Sequence, residues 1–304
     1  MALLGFRRSR RQSPAWQEVD EAVYREAYGL YGGSVITHPR VVATISAMVA
    51  MAPRYLALYR DGRLLGALAL WGDYLAGDKR CLKKIGRRRV YDLGNAEVVL
   101  PLSRAERFSL RGFRGQFLSG LHRENIDGLV PQGETLSLAR SFSRGDFSGK
   151  FRYTRRRELK RFREAGGEVV PLDSLEPAAV AAVYRELFRR RWERPPKGDQ
   201  RLEEFLRALW PLLTGFLLTM AGQPVAIQLL YQVTTVVGVA VEYVNGGVDP
   251  HFSRYSPGTI LSFLNLQAAE ELADRERLPL RFSFGLTDQE YKNRWAVPQP
   301  VYRL

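Results

Sequence analysis

The segment FSFGLTDQEYKNRW, residues 282–295, packs a carboxylate (Asp288), a phenol (Tyr291), an ammonium (Lys292) and an indole (Trp295) just behind an apolar run that stops at Gly285. An ammonium can offset negative charge that develops on a reacting oxygen, and a carboxylate can take a proton. Tyr291 and Trp295 are four apart and would share one helical face, where they could wall a pocket. The same residue types also suit an aromatic core with Lys292 snorkelling to water. Upstream, Ser256-Pro257-Gly258-Thr259 reads as a helix start. Pro257 sets the first turn, Gly258 permits close backbone approach, Ser256 or Thr259 can cap, and the free amides carry about half a positive charge. Such a start can hold an anion or simply be a capped helix. His251 and Tyr255, in DPHFSRYSPG, stand beside it as substrate-binding candidates, although a histidine there also fits a plain turn. Glu242, inside the apolar run VAVEYV, is a second base candidate, because burial would raise its pKa. On the polar face of a strand it would instead point to solvent.

These residues need elements to position them. RYLALYRDGRLLGALALW (54–71) reads as a hairpin turned at Asp61-Gly62, and FLLTMAGQPVAIQLLYQ (216–232) as another turned at Gly222. A helix precedes each, at 39–52 and 202–213, and β-rich sequence follows each, at 90–102 and 236–247. The plan reads as one α/β unit used twice. Between the copies lie a helix at 154–167 stopped by Gly166-Gly167, a short EVVPL strand, and a helix at 175–195. After 247 come a polar turn, a helix from about Pro257, and the strand 278–285 that leads into the opening segment.

Composition narrows the function classes. The chain has 304 residues, 45% hydrophobic and 26% charged, and no apolar run is long enough to span a bilayer. In MALLGFRRSRR the charges follow the apolar patch, the wrong order for a secretory signal. One cysteine, Cys81, and three histidines without paired spacing give no disulfide and no metal site. Cations around Cys81 would lower its pKa, but no histidine lies near it. There is no Walker loop and no dinucleotide glycine fingerprint. The net charge is +14, with 24 basic and 14 acidic side chains in residues 1–150 against 22 and 18 in 151–304. The excess sits in RRSRR (7–11), DKRCLKKIGRRR (78–89) and KFRYTRRRELKRFR (150–163). Such patches draw phosphates, whether of nucleic acid, an anionic leaflet or CoA, or else an acidic carrier protein. They also serve as a solvated surface that keeps a protein in solution.

The order strand, RYSPGTILSFL helix, strand, then FG–x–x–D–x–x–YK–x–x–W resembles the GNAT-like acyltransferase superfamily. Within it the chain is similar to the FemABX-like and polysaccharide-biosynthesis acetyltransferase branch. The basic first half and GVDPHFSRYSPGTILSFLNLQAAEE resemble the mig-fourteen family of antimicrobial-peptide resistance proteins. The match is strong over roughly 145–296 and degenerate over 15–144. The resemblance implies an α+β fold of tandem GNAT-like domains, each a mixed, mostly antiparallel sheet flanked by helices. The division it implies is a basic tail (1–14), a degenerate domain (15–145) and an acyltransferase domain (146–304). It implies transfer of an acyl or aminoacyl group to an amine or hydroxyl of an envelope precursor or glycolipid. Lys292 would neutralise the oxyanion, with Asp288 and Glu242 as proton acceptors. Residues 256–259 would face the donor's phosphates, with Tyr291, Trp295, His251 and Tyr255 on the substrate. The fuller glycine pattern of typical GNAT loops is missing, so aminoacyl-tRNA stands beside acyl-CoA as the donor, in either case a co-substrate and not a tightly held cofactor. A cytoplasmic protein, peripheral on anionic inner-membrane lipid, follows. The contrasting reading is a catalytically silent resistance factor that binds membrane or nucleic acid.

Overall fold

The two hairpin turns set the frame. The computed structural model describes residues 15–304, so the basic segment 7–11 lies outside the described residues. The first half contains β1 (Gln17–Val19), α1 (Glu21–Tyr31), α2 (Pro39–Val49), β2 (Arg54–Arg60), β3 (Arg63–Trp71), β4 (Tyr74–Leu75) and α3 (Lys79–Lys84). Short strands follow: β5 (Phe108–Ser109), β6 (Leu118–Ser119), β7 (Ile126–Asp127), then the long β8 (Val130–Ala139). The remainder runs α4 (Gly149–Glu164), β9 (Gly167–Pro171), α5 (Pro177–Trp192), α6 (Leu202–Ala208), β10 (Leu213–Thr214), β11 (Phe216–Met220), β12 (Gln223–Thr235) and β13 (Gly238–Val248). It ends with α7 (Pro257–Glu276), β14 (Leu280–Leu286) and β15 (Ala296–Arg303). Asp61-Gly62 and Ala221-Gly222 both adopt positive φ, the backbone that a two-residue hairpin turn requires.

Strands β1 to β4 form an antiparallel sheet in chain order, and the second sheet runs β6-β15-β8-β14-β13-β12-β11-β9. Its one parallel pair is β13 with β14, in register from Val239 opposite Leu280 to Glu242 opposite Ser283. Beyond that point the two strands run on without pairing to each other, which opens a V at the middle of the sheet. A register shift at Leu229/Leu230 lets Val244 bulge from β13 beside the V. Strand β8, from the first half, fills the place between β14 and β15.

The alternation of β12 sorts the cores. Ile227, Leu229, Tyr231 and Val233 pack with α5, α6 and first-half residues such as Val35, Ile45 and Trp71. Leu230, with Val239, Val241 and Tyr243 of β13, packs on Phe263, Leu266 and Ala269 of α7. One segment departs from expectation. Residues 90–102 are not β-rich but an irregular run with only isolated bridges. Side chains take much of the ladder's place: Ser34 Oγ accepts from Val99 N (3.0 Å), His122 Nε2 from Leu100 N (2.7 Å), and Glu242 Oε1 from Glu97 N (2.7 Å). Cys81 also differs, since burial and the carboxylates of Asp78 and Asp73 push its thiol up, not down.

Helix α5 lies directly on β13 at Gly247, where an added Cβ would come within 2.6 Å of Leu187 and Phe188 backbone atoms. Gly247→Ala should therefore lower unfolding free energy by about 1–3 kcal/mol in urea titrations. Gly29→Ala, in α1 with nothing within 4 Å of the added carbon, should stabilise by up to about 1 kcal/mol.

Candidate functional site

The V between β13 and β14 holds a cleft of about 280 Å³. Tyr243, Val244 and Asn245 line one arm, and Phe284, Gly285 and Leu286 the other. The bulge at Val244 explains why consecutive residues of one strand all reach the same opening. The segment after β14 brings Asp288 to the cleft, and the 3₁₀ turn that follows it, Glu290–Arg294, brings Tyr291 and Lys292.

Lys292 is 6% exposed. Its Nζ donates to the carbonyl of Leu286 (2.6 Å) and to Asp288 Oδ1 (2.7 Å). An ammonium has three N–H donors, so one is left for a further acceptor. Burial, with Tyr243 beside it, raises the Tyr291 phenol, which therefore stays protonated and able to donate. Trp295 is placed differently. It is buried against Phe147 and Phe151, at centroid distances of 6.1 and 5.3 Å, and does not line the cleft. A 3₁₀ turn repeats every three residues, so positions four apart diverge.

The end of α5 supplies residues that carry no local signal in the sequence. Arg191 and Trp192 line the cleft, the guanidinium 4.6 Å from the indole, and both donate to Gly246 O at 3.3 Å. From the first half come Asp92, Gly94 and Asn95, with Lys197 beside them 3.6 Å from Asp92.

Glu242 lines neither this cleft nor the larger cavity described below. Burial pushes its carboxyl well above the usual range, and the charge of Glu97 adds to that. Besides receiving the Glu97 N–H, it sits by a salt bridge in which Arg281 Nε reaches Glu97 Oε2 at 2.9 Å and Nη2 reaches Oε1. Arg281 Nη2 also donates to Ser119 Oγ at 3.3 Å.

Residues 251–259 lie outside the cleft lining. Pro257 opens α7, and Ser256, at φ 52°, accepts through its carbonyl from Thr259 N (2.9 Å) and Ile260 N (3.1 Å). Its side chain makes no cap bond. A Cβ on Gly258 would meet only Val248, at 3.7 Å, so the backbone there is open to close approach. His251 Nδ1 lies 2.8 Å from Asp249 Oδ1, with its ring at the surface. Burial would raise the Asp249 carboxyl, but hydrogen bonds from His251 and Arg190 win and hold it low. Tyr255 packs edge-on to Phe162 at 6.0 Å. Among the described residues no group of three or more His, Cys, Asp or Glu is placed to hold a metal ion, and no helix is long and apolar enough to cross a membrane.

Comparison with known proteins places this geometry. A family model described as Mig-14 matches residues 38–304. The crystal structure of FemX aligns over 95% of this chain and 96% of its own, with a TM-score of 0.58 at 10% identity. A tandem GNAT protein from the clavulanic acid biosynthesis pathway aligns over 96% and 98%, with a TM-score of 0.49 at 11% identity. No curated protein matches. The chain shares the fold of FemX over almost its whole length, with mostly antiparallel sheets flanked by helices.

The Glu242 carboxyl gives a test with a defined sign. Glu242→Ala leaves the Glu97 N–H buried without its acceptor and should cost about 1–3 kcal/mol. Glu242→Gln keeps an acceptor oxygen but cannot ionise. Because the folded pKa is raised, the protonated carboxyl's contribution is complete at low pH and is lost as pH rises toward the folded value. The Tm of Glu242→Gln should match wild type near about pH 4 and overtake it toward about pH 8. A gap that stays constant with pH would refute a raised pKa.

Proposed function

The chain belongs to the Mig-14 family, and from that premise we propose that it is a GNAT-fold acyl- or aminoacyl-transferase acting on an amine or hydroxyl of a bacterial envelope component. The observation that carries this is the Lys292 ammonium: buried at the V of the central sheet, held by two acceptors, with one N–H unclaimed. When an acceptor nitrogen or oxygen attacks the donor's thioester or ester carbonyl, the carbonyl electron pair moves onto oxygen. The third N–H of Lys292 meets that oxyanion, a contribution of about 3 kcal/mol for one well-placed donor. Collapse of the intermediate re-forms the carbonyl and expels the thiolate or ribose hydroxyl. Asp288, half exposed and engaged through one carboxylate oxygen, takes the acceptor's proton through the other. Tyr291, Trp192 and Tyr243 wall the reacting groups.

The donor is an acyl-CoA or an aminoacyl-tRNA, bound as a co-substrate. Its phosphates sit at Ser256, Gly258 and Thr259, where Gly258 leaves the backbone accessible and the helix start favours negative charge. His251 and Tyr255 flank that approach, and Trp295 supports the 3₁₀ turn from the core. Helix α4, rich in Arg and Lys, packs beside Pro250–Tyr255 through Phe162 against Tyr255, and its cations suit a polyanionic donor or an anionic membrane surface. We assign donor binding and transfer to residues 146–304, and to 15–145 the shaping of the acceptor side, with β8 reaching across. Modifying an envelope component in this way would weaken the grip of cationic antimicrobial peptides.

Purified protein titrated with acetyl-CoA, longer acyl-CoAs and aminoacyl-tRNA should bind one donor saturably, and Gly258→Trp should abolish it. With labelled donor and an envelope fraction, Lys292→Ala should cut transfer by about a hundredfold or more while donor affinity changes little. Binding to anionic liposomes alone, indifferent to Lys292→Ala, would replace this reading with a silent membrane-associated factor.

A further inference from the structure

A larger cavity, about 480 Å³, is walled mainly by first-half residues, with Lys197 and Leu286 from the second, and plays no part in the transfer step above. One cation in its wall has less compensation than a protein interior normally supplies. Lys79, in the first turn of α3, is bonded through Nζ to Asn95 Oδ1 and stands 6.0 Å from the Phe117 ring. Asp92, which faces it, is engaged with Lys197 at 3.6 Å, and Asp78, just before the helix, with Arg80 at 3.0 Å. Burial lowers the Lys79 pKa to about 8, Lys197 and Arg88 add to that, and Asp92 and Glu134 oppose it. Among the described residues Lys79 makes no salt bridge of its own, and a partly buried cation so placed gains from a bound anion.

Two further features define what would fit. Arg88 and Arg89 are exposed at the cavity's rim, so positive charge exceeds what one carboxylate would balance, and guanidinium forks match phosphate oxygens. Between these cations the wall is apolar, with Leu82, Leu93 and Phe117. A purely polar anion would leave that surface uncovered, and a purely apolar ligand would leave Lys79 unmatched.

We propose that this cavity binds an amphiphile carrying a phosphate ester, its phosphate on Lys79 and the Arg88 guanidinium at the rim, its apolar body against Leu82, Leu93 and Phe117. The cavity shares Asp92, Gly94, Asn95, Lys197 and Leu286 with the Lys292 cleft as a common wall. A ligand seated here therefore lies across that wall from Lys292. Naming that ligand the acceptor rests on the transferase reading, but its binding does not.

Calorimetric titration of the full chain with monomeric dodecyl phosphate, dodecyl maltoside and inorganic phosphate tests the site. Dodecyl phosphate should occupy a single saturable site, about tenfold or more tighter than either of the others, as one charged hydrogen bond added to an apolar contact requires. Lys79→Met should weaken it about tenfold with the circular dichroism spectrum unchanged. Arg88→Gln, at an exposed position, should weaken it by about threefold, and Lys150→Gln on α4 should leave it unaltered. Equal affinity for the maltoside would make this an apolar pocket only, and equal affinity for inorganic phosphate an anion site only. Either result overturns the proposal, as does indifference to both Lys79→Met and Arg88→Gln. Because no transfer is measured, such a failure leaves the role of Lys292 standing, whereas loss of transfer in Lys292→Ala with dodecyl phosphate still bound separates the two sites.

Discussion

Glu242 sits inside an apolar strand and holds the backbone of a segment some 145 residues away, taking the N–H of Glu97 while Glu97 itself grips Arg281 and Arg281 reaches Ser119. Four stretches distant in sequence meet there: β13, β14, β6 and the irregular run around residue 97. Charges taken out of water are costly singly and tolerable only when each has its partner, so the group forms as a unit or not at all. Its location is as telling as its composition. Glu242 and Ser283 are the last register pair of the parallel strands, so the knot lies at the vertex where they part.

Much of the site follows from that vertex. Above it β13 and β14 diverge, and the space between them needs lining from elsewhere: the end of α5, the 3₁₀ turn after β14, and the first-half loop that Glu242 fastens. Both cavities use this loop as a partition, with Asp92, Gly94 and Asn95 on each side. The clamp therefore does more than join two halves. It fixes the thickness and position of the wall between the Lys292 cleft and the cationic, apolar chamber next to it.

The fold was readable where the chemistry is local. Asp61-Gly62 and Gly222 announce their turns because few other residues accept positive φ, and Pro257 marks the first residue of α7. The stretch 282–295 likewise flagged Asp288, Tyr291 and Lys292, which share one cleft. Residues 90–102 misled because their apolar pattern is that of a strand, whereas the structure uses Ser34, His122 and Glu242 side chains as acceptors in place of a neighbouring strand. No periodicity encodes that. Trp192 and Arg191 were silent for a similar reason, since at the end of a long amphipathic helix they look like ordinary surface. Lys79 was hidden in a run of seven cations, where nothing local sets it apart from its exposed neighbours.

Strand β8 has an implication for how such a molecule could have arisen and how far it can be taken apart. By position in the chain it belongs with the first half, yet it hydrogen-bonds in the interior of the other sheet, between β14 and β15. Severed at the midpoint, the later piece would lose β6 and β8 and bare one side of β14 and both sides of β15, an invitation to stick to its own kind. The halves are dovetailed, not hinged. Evolution could tune either one's lining but could no longer trade one away.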